Sequence, residues 1–517
     1  MEAEKFVGKG ILTVFAVGAA IVAEGVFTAG AAPMIDRAHD RVQTALRPGL
    51  ERIGTLTPRS AREIGPSRLA IGCEMLPRGY GDFEAFKEYL PPLGLARVRL
   101  HAGWAKLEPK PGVWDFSWLD RQVDWLIANG LEPILETSYG NPVYPGAGGA
   151  SLSDGMPRGE EALAAWDRYV DKLAEHYPHV KNWACWNEPN NTGANTAAII
   201  ADNNVRTARA IKRRIPDAKI AAFLVGWPNV KLTAEYLKEL KARDAVGLFH
   251  WIVYHDYSPN PDNCYARGVD EWVRLVRREA PSLRVWNGES GATSQAHYSA
   301  PISSGDWNSE LTQCKWNARR LVADLGHGIE SLVFTMYDPC YDAPGRYSNY
   351  GRKIPDYWVR PRKDRFMKWM GLVKCDETLQ VTKVKPAYYT VQNVATLFDA
   401  TVETANLGVK NVGDTLNGAT ALYGFRQTKT GTPLVAFWDA SDVPSNENVV
   451  REVRLQIPKK VGFKEPVWID LVTGAIYAVP KSCRSPARHA LDAETWTLPM
   501  YDAPAVLTER ALVMPKP

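Results

Sequence analysis

Residues Trp183–Asn190 read Trp-Ala-Cys-Trp-Asn-Glu-Pro-Asn, and this stretch has the character of a buried strand that ends abruptly. It is apolar up to Trp186, then offers an amide and a carboxylate, and stops at Pro189. Proline has no N–H for a strand ladder and holds the preceding residue in extended geometry, so a strand is expected to end there. Glu188 is therefore expected at the carboxyl end of a strand among aromatic rings. An acid in such surroundings tends to keep its proton and can donate it.

Around this stretch, short apolar runs alternate with amphipathic helical patterns. Eight runs are typical of strands: Leu69–Met75, Ala96–Leu100, Glu132–Leu135, Val180–Trp186, Ile220–Val225, Leu248–Tyr254, Leu283–Trp286 and Ser331–Thr335. The helical patterns between them include Trp118–Asn129, Glu160–Tyr177, Asn203–Arg214, Val269–Glu279 and Glu310–His327. This alternation predicts an α/β fold, a (β/α)8 TIM barrel over residues 67–400. An open doubly wound sheet is the competing interpretation, but the chain has no Gly-x-Gly-x-x-Gly phosphate turn.

After residue 400 the pattern changes to short strands separated by turn residues. The runs typical of strands are Ala419–Phe425, Leu434–Trp438, Val449–Gln456, Val467–Leu471, Ile476–Val479 and Ala505–Leu507. Thr473 and Gly474 join two of these runs and are typical of a tight hairpin. Residues 401–517 are predicted to form a smaller all-β, sandwich-like domain that packs on the barrel flank. Independent sugar binding by this domain is the second interpretation.

The N-terminus has the three parts of a secretory signal. Lys5 and Lys9 precede an apolar run from Ile11 to Ala23, and small residues at 29–31 fit a cleavage site. We expect residues 1–32 to be a signal peptide or, if the segment continues past Glu24 and is not cleaved, a membrane tether. Either way the protein is expected to be secreted or held in the cell envelope. Residues 33–66 are rich in arginine and are expected to form a basic linker.

The composition argues against several other classes of protein. Among 517 residues, 45% are hydrophobic and 23% charged, as in a globular protein with a large core. A net charge of +4 gives no field that would favour nucleic acid, and no cofactor is indicated. The seven cysteines include no Cys-x-x-Cys pair, so no metal site is predicted. One disulfide among Cys264, Cys314 and Cys340 is a hypothesis for an exported protein.

Glu289 is a second carboxylate at the predicted carboxyl end of a barrel strand. Catalytic groups of these barrels project from the carboxyl ends of the strands. Glu289 follows the seventh apolar run, and Gly288 and Gly291 beside it leave room for close approach by a ligand. Glycosidic cleavage needs two carboxyl groups, one to protonate the departing oxygen and one to attack the sugar or activate a water. Glu188 and Glu289 are therefore the candidate catalytic pair.

A metal-dependent hydrolase is a weaker alternative. His255 and Asp256 near the sixth strand are adjacent in sequence and point to opposite sides of a strand, so they form a poor pair of metal ligands.

The residues that follow the strands resemble those of the clan A glycoside hydrolases, whose barrels retain anomeric configuration. The resemblance rests on Asn187, Glu188 and Pro189 after the fourth strand and on Glu289 after the seventh. Within the clan, the Arg-x-His ending of Arg97–His101, the third-strand entry Gly130–Glu136 and the appended β domain resemble glycoside hydrolase family 39. The likeness covers roughly residues 68 to 510. It implies that Glu188 is the acid/base and Glu289 the nucleophile.

The same resemblance implies which residues bind substrate around this pair. Arg99 and Tyr257 would hydrogen-bond Glu289 and keep it ionised. Asn187 would bond the sugar hydroxyl beside the reacting carbon, while His101 and His255 would line the same mouth.

The eighth strand departs from the clan pattern. Many clan members place a tryptophan at its end, whereas this chain reads Phe-Thr-Met-Tyr over residues 334–337. The ring that stacks on the sugar must then come from elsewhere, and the candidates are Tyr337, Trp104, Trp227 and Trp286. The loop from Asn141 to Pro157 and the segment from Cys340 to Pro361 are expected to shape the cleft.

These observations predict a retaining glycosidase that hydrolyses a polysaccharide or oligosaccharide by double displacement. An exo-acting β-xylosidase-like or uronidase-like enzyme is the alternative within the same chemistry. A non-catalytic carbohydrate-binding envelope protein built on a decayed barrel is the alternative from another class. The presence of both Glu188 and Glu289 argues against decay.

Overall fold

The structure is a computed structural model, and it describes residues 46–192, 194–295, 308–342, 365–413, 419–488 and 490–514. The predicted signal peptide or tether, the first part of the predicted linker and most of the segment Cys340–Pro361 lie outside these ranges. Across the described ranges, no helix combines the length and the apolar character that a bilayer crossing requires.

Eight parallel strands close into a barrel, as the alternation of apolar runs predicted. In chain order they are Leu69–Gly72, Arg97–His101, Glu132–Glu136, Asn182–Ala184, Lys219–Val225, Trp251–His255, Arg284–Ser290 and Glu330–Val333. The eighth strand pairs with the first, with Ser331 opposite Leu69, so closure leaves no open edge. The strands are buried along almost their whole length because helices cover the outer face of the barrel. The predicted TIM barrel is confirmed.

The longer helices lie between the barrel strands or just after the eighth. They are Ser117–Ala128, Glu160–His176, Ala197–Arg214, Val230–Ala242, Asp270–Glu279, Glu310–Gly326 and Pro386–Leu397. Short helices occur at Ala61–Ile64, Phe83–Phe86, Leu90–Leu93, Trp104–Leu107 and Arg510–Val513. In Glu160–His176 one stripe of side chains, including Trp166, Tyr169 and Leu173, is buried. This spacing of three and four residues turns one face of the helix to the core.

Two antiparallel sheets make up the C-terminal region. A seven-stranded sheet contains Arg52–Thr55, Ala475–Ala478, Pro466–Asp470, Ala505–Glu509, Pro433–Asp439, Thr420–Gln427 and Val402–Thr404, in that spatial order. A four-stranded sheet contains Lys410–Asn411, Arg451–Pro458, Ala493–Met500 and Arg484–Pro486. The hairpin at Thr473 and Gly474 is confirmed, and Gly474 has the positive φ of 75° that favours glycine. The β domain is thus present. Ala493–Met500 is the longest of its strands that was not predicted from the sequence.

Two further pairs of antiparallel strands follow the eighth barrel strand in the chain. They pair Cys340–Asp342 with Arg365–Met367 and Val373–Cys375 with Val381–Val384.

Part of the segment assigned to a basic linker, residues 33–66, is structured. Arg52–Thr55 pairs with Ala475–Ala478 and forms an edge of the seven-stranded sheet. Further on, Ser60 and Glu63 cap a helical turn reciprocally. Arg59 also forms an ion pair of 2.7 Å with Asp399. A strand of four residues is too short to show a clear periodicity in the sequence. Its partner strand is also far away in the chain, so no local pattern indicates the pairing.

The β domain packs against the barrel flank through helix Glu310–Gly326. The Lys315 ammonium on that helix is fully buried and donates to the carbonyls of Ser445 and Glu447 and to Asp502 Oδ1, at 2.9, 2.7 and 2.6 Å. A buried cation held by three acceptors ties the helix to the β domain.

The hypothesis of a disulfide is wrong for Cys264 and Cys314. Both are buried free thiols, and each has another partner: Cys264 Sγ accepts from Arg320, and Cys314 Sγ donates to the Glu310 carbonyl.

Candidate active site

A cavity of about 620 Å³ lies at the carboxyl ends of the barrel strands. Five residues of its wall were predicted from the sequence, namely Glu188, Glu289, Asn187, His101 and Tyr257. Ser151 and Leu152, in the loop expected to shape the cleft, also line it. Its volume is in the range of sites that bind small molecules.

Glu188 is held at the mouth by a left-handed turn, so the extended geometry expected for the residue before Pro189 is wrong. The fourth barrel strand ends at Ala184, and Pro189 begins a short 3-10 helix. Glu188 lies between them with a positive φ of 41°, a conformation unusual for a residue with a side chain. Its Oε2 accepts a hydrogen bond of 2.6 Å from Asn191 Nδ2, and its Oε1 is 2.9 Å from His255 Nδ1. The carboxyl is only slightly exposed, which suits a group that exchanges a proton with a ligand.

Glu289 on the seventh strand is held in its ionised form. Its Oε1 accepts from Arg99 Nη1 and its Oε2 from the Tyr257 hydroxyl, both at 2.9 Å. Burial alone would raise the pKa of Glu289, but His255, Arg99 and the Tyr257 hydrogen bond outweigh it and lower that pKa. Burial and the neighbouring Glu289 raise the pKa of Tyr257, so the hydroxyl stays protonated and donates.

Arg99 is the cation at the centre of the site, and all five of its N–H groups are used. Nε and one proton of Nη2 bond Glu136, while the other Nη2 proton goes to Asn187 Oδ1 at 2.7 Å. Nη1 bonds the Gly288 carbonyl and Glu289 Oε1, each at 2.9 Å. A guanidinium has five donors and no more. Arg99 therefore orients Glu289 and the amide of Asn187 together.

Glu136 ends the third strand and was not predicted as a site residue. Burial alone would raise its pKa, but Arg99 and His101, with a hydrogen bond from Ser138, lower that pKa to about 2. His101 Nε2 lies 3.2 Å from Glu136 Oε1, and burial lowers the pKa of His101. Glu136 is thus a permanent anion that balances the charge of Arg99.

Glu74, just beyond the first strand, was also missed. It is fully buried and lines the cavity, and its Oε1 is 3.2 Å from Arg99 Nη1. Burial raises the pKa of Glu74 to about 8 because Arg99, the cation beside it, is already shared with Glu289 and Glu136. Glu74 is therefore a neutral acid at neutral pH, in contrast to Glu136.

His255 links the two catalytic candidates. Its Nδ1 is 2.9 Å from Glu188 Oε1 and 3.5 Å from Glu289 Oε2. These groups offer three possible metal-ligand atoms within 4.8 Å of one another. The 2.9 Å contact is a hydrogen-bond distance, shorter than the roughly 3.3 Å expected between two atoms that bind one ion tetrahedrally at about 2.0–2.1 Å. The arrangement fits a hydrogen bond between His255 and Glu188 better than a metal site.

Two predicted substrate-binding residues lie behind the carboxylates instead of on the cavity wall. Arg99 and His255 are fully buried, and neither lines the cavity. Their side chains are occupied by Glu289, Glu136 and Glu188. They position the acids, and the expectation that His255 lines the mouth is corrected.

The three aromatic rings predicted to bind sugar, Trp104, Trp286 and Tyr337, lie in the core instead. Trp104 is buried between Tyr144 and Tyr169, with its indole N–H bonded to Glu108. Trp286 is buried in the apolar interior of the barrel. Each ring is large enough to fill core volume, and packing decides its place.

Tyr337 is buried too, and its ring stacks on Phe86. Its hydroxyl donates to the Glu74 carbonyl, so it supports a site residue without facing the cavity. Trp227 is 38% exposed but is not part of the cavity wall. The aromatic residues that do line the cavity are Tyr139, Tyr257, Phe334 and Tyr341.

Two cationic side chains on the wall were not predicted. The Arg78 guanidinium lies 5.2 Å from the Tyr139 ring centroid, and the Lys368 ammonium lies 4.8 Å from that of Tyr341. Burial lowers the pKa of Lys368, while Glu289 and Glu188 oppose the change.

The sequence did contain a pattern that could have identified Glu74 and Glu136. Glu74 is the one charged residue in the apolar run Leu69–Met75, and Glu136 follows Ile134 and Leu135. The rule that polar groups at strand ends face the cavity, applied to strands one and three, would have selected both. Arg78 ends a short 3-10 helix and Lys368 follows a three-residue strand, and no sequence pattern marks either of them.

Comparisons of the sequence with known families and proteins give one short match. A family model described as beta-galactosidase matches residues 84–145. A search of curated proteins found no match.

Several solved structures share the fold. A family 39 glycoside hydrolase from Bacteroides cellulosilyticus is similar at a TM-score of 0.56 and 14% identity, over 88% of this chain and 83% of that one. A family 30 subfamily 8 xylanase from Clostridium acetobutylicum matches at a TM-score of 0.51 and 11% identity, over 89% and 97% of the two chains. A monomeric β-xylosidase from Caulobacter crescentus matches at 0.50 and 16%, over 88% and 97%. The predicted resemblance to clan A glycoside hydrolases, family 39 among them, is confirmed at the level of the fold.

Proposed function

We propose that this protein is a retaining glycosidase that hydrolyses O-glycosidic bonds by double displacement. The observation that carries the proposal is a pair of carboxyl groups in one cavity with different surroundings. Glu289 is held as an anion by Arg99 and Tyr257, whereas Glu188 contacts Asn191 and His255. An oxygen of each lies within 4.8 Å of the other. This favours the roughly 5–5.5 Å carboxyl spacing of retaining enzymes over the 6.5–9.5 Å of inverting ones.

In the first step, an oxygen of Glu289 attacks the anomeric carbon while Glu188 gives its proton to the departing oxygen. The glycosidic bond breaks and a glycosyl ester of Glu289 forms. Glu188 is left as a carboxylate, and it removes a proton from water in the second step. The hydroxide oxygen bonds the anomeric carbon and frees Glu289, so both residues return to their starting state.

Asn187 is placed to read the sugar hydroxyl beside the reacting carbon. Its Oδ1 accepts from Arg99, and one Nδ2 proton goes to the Tyr139 hydroxyl at 2.8 Å. The side chain is thus fixed, lines the cavity and has a second Nδ2 proton to offer. A hydrogen bond made by a fixed amide requires no reorganisation in the transition state.

A second candidate within this chemistry is an exo-acting uronidase-like enzyme. The cavity wall includes the cations Arg78 and Lys368, which would attract a carboxylate on the sugar. An exo-acting β-xylosidase-like enzyme differs in using a neutral pentose, and a substrate panel separates the two.

The test begins with 4-nitrophenyl glycosides of pentoses, hexoses and uronic acids, and with soluble polysaccharides. Release of sugar with retained configuration, followed by NMR, is the expected result. A 2-deoxy-2-fluoro sugar with an activated leaving group should inactivate the protein and label Glu289, as peptide mapping would show. Labelling of another carboxylate would refute the nucleophile assignment. Binding of sugars without any cleavage would favour the envelope-protein alternative, and loss of activity with EDTA would favour a metal enzyme.

The acid/base role of Glu188 has its own test. Glu188→Ala should lose most activity on substrates with poor leaving groups and far less on 2,4-dinitrophenyl glycosides, which depart without a proton. Added azide should then replace water at the anomeric carbon and restore turnover. Equal losses on all leaving groups would argue against the assignment.

We also propose that the protein is exported or anchored in the cell envelope through residues 1–32, on the signal-like sequence alone. Fractionation of cells that express the full chain, compared with a chain that begins at residue 33, tests this. An equal cytoplasmic yield of both would refute it.

A further inference from the structure

We propose that Glu74 is a further substrate-binding residue, whose carboxyl hydrogen-bonds a hydroxyl of the sugar ring held between Glu188 and Glu289. This inference rests on the proposed glycosidase function and adds to it a residue that distinguishes sugars. The group that Glu74 recognises is a neutral hydroxyl on the sugar ring. A protonated carboxyl can both donate a hydrogen bond to a hydroxyl and accept one from it.

The Glu74 side chain is placed by the fold at the end of the first strand. It turns back over Gly72, where an added Cβ would lie 2.4 Å from Glu74 Oε2, so a larger residue at position 72 would displace the carboxyl. Met75, the next residue, has a positive φ of 66° and also lines the cavity. A backbone conformation rarely adopted by non-glycine residues, beside a ligand cavity, indicates a functional constraint. The Tyr337 hydroxyl donates to the Glu74 carbonyl and holds the segment.

Neither carboxyl oxygen of Glu74 is hydrogen-bonded to a residue in the described ranges. Arg99 Nη1 is 3.2 Å from Oε1, but both Nη1 protons are already directed to Gly288 and Glu289. A fully buried carboxyl group without a hydrogen bond is costly, because it has lost its water without a replacement. Glu74 is one of the residues around the cavity, and its carboxyl oxygens are buried just behind the surface, so a hydroxyl of a ligand bound in the cavity would supply the missing hydrogen bond.

A purely structural role for Glu74 is the competing explanation. Arg99 needs one balancing anion, and Glu136 and Glu289 already provide two. The charge of a third acid there is unfavourable, which accords with a raised pKa. A neutral carboxyl adds little to charge balance but retains an O–H donor and a carbonyl acceptor. Charge balance therefore does not explain its presence, whereas sugar recognition does.

The experiment uses the full-length protein and the 4-nitrophenyl glycoside that the wild type cleaves best, together with its monodeoxy analogues. Glu74→Ala should lower kcat/KM on the parent sugar by about tenfold or more, the effect of losing a buried hydrogen bond. The same variant should show no loss on one analogue, the one that lacks the hydroxyl read by Glu74. Glu74→Gln keeps a donor and an acceptor in the same shape, so below pH 8 it should stay within about threefold of the wild type.

Glu108→Gln is the matched control. Glu108 is also a buried acid bonded to its surroundings, but it does not line the cavity. Its replacement should not change the ranking of the analogues. Loss by Glu74→Ala that is equal on the parent and every analogue would show a structural role and overturn the proposal. No loss on any substrate would overturn it as well.

A crystal structure of the wild-type protein with a trapped 2-deoxy-2-fluoro sugar provides a second test. This test does not require that any variant folds. A Glu74 oxygen within about 3.2 Å of a ring hydroxyl supports the proposal, and a carboxyl that still faces no sugar atom overturns it. If the wild type cleaves no glycoside, the proposed function fails and this inference with it. If cleavage occurs and Glu74→Ala shows no selective loss, the Glu74 inference alone fails.

Discussion

Two buried arginines lie on opposite sides of the barrel wall, and their surroundings differ in one respect. Arg99 is inside, at the cavity, and Arg320 is outside, on helix Glu310–Gly326. The adjacent residues His255 and Asp256 belong to different clusters: His255 contacts Glu188 and Glu289, and Asp256 accepts from Arg320. The alternation that made His255 and Asp256 a poor metal pair thus divides them between two clusters.

The acids around Arg320 are fully satisfied. Asp256 accepts from the N–H and hydroxyl of Ser258 at 3.0 and 2.8 Å and from Arg320. Asp324 accepts from Tyr265 at 2.8 Å, from Asn287 at 3.0 Å and from Ser331 at 2.7 Å. Around Arg99, by contrast, Glu74 has no hydrogen bond within the described ranges. Acids whose hydrogen bonds all come from the protein stabilise the fold, whereas a buried acid beside a cavity that lacks them is available to a ligand.

The largest effect is expected from replacing Glu289, the proposed nucleophile. Glu289→Gln should reduce kcat by about 10⁴-fold or more, because the covalent intermediate cannot form. Turnover of the best aryl glycoside measures the loss of activity, and thermal unfolding checks that the variant is folded. A variant that retains wild-type turnover would show that the cluster around Arg99 is structural, like that around Arg320.

Asp256→Asn tests the other cluster. It leaves Arg320 with less compensating charge, and breaking a buried ion pair costs about 3 kcal/mol or more of unfolding free energy. We expect denaturant unfolding to show this loss while kcat/KM of the folded protein changes only a few-fold. A large fall in kcat/KM at unchanged stability would mean that the two clusters are not separate in function.

Tyr257→Phe removes one of the groups that lower the pKa of Glu289. The ionised form loses a hydrogen bond, so the pKa rises and the acid limb of the kcat/KM profile moves to higher pH. At the optimum kcat/KM should fall about tenfold. Replacement of Tyr265, which bonds Asp324 in the outer cluster, by Phe is the matched control and should leave the acid limb in place.

The smallest effect concerns stability and pH. The pKa of Glu74 is about 8 in the folded protein, above the roughly 4.3 of an unfolded glutamate. Between these values the folded state holds a proton that the unfolded state has lost, so the contribution of Glu74 to stability is complete below about pH 4.3 and is lost as pH rises to 8.

Glu74→Gln removes this titration. Its Tm relative to the wild type should therefore rise by about 2–4 °C from pH 4.5 to 8, as scanning calorimetry would measure. A constant Tm difference across that range would show that Glu74 titrates normally.

Much of the barrel and the candidate pair could be predicted from local pattern. Short apolar runs and helical spacing are set by neighbours in sequence, and each of the eight predicted runs overlaps a barrel strand. The positions of Glu188 and Glu289 follow from the same rule, since parallel strands carry their carboxyl ends to one face. The strand Arg52–Thr55 could not be found in this way because its partner lies more than 400 residues away in sequence.

The sequence by itself determined the alternation of strands and helices and the end of the barrel at which Glu188 and Glu289 lie. Only the tertiary structure decided which acid is ionised, which is neutral and which aromatic rings reach the cavity. Trp104, Trp286 and Tyr337 are core residues because neighbours from distant segments cover them. Glu136 and Glu74 differ because one guanidinium has five donors, and Glu136 receives two of them while Glu74 receives none. Burial and hydrogen-bond supply depend on residues far apart in the chain, and no local pattern records them.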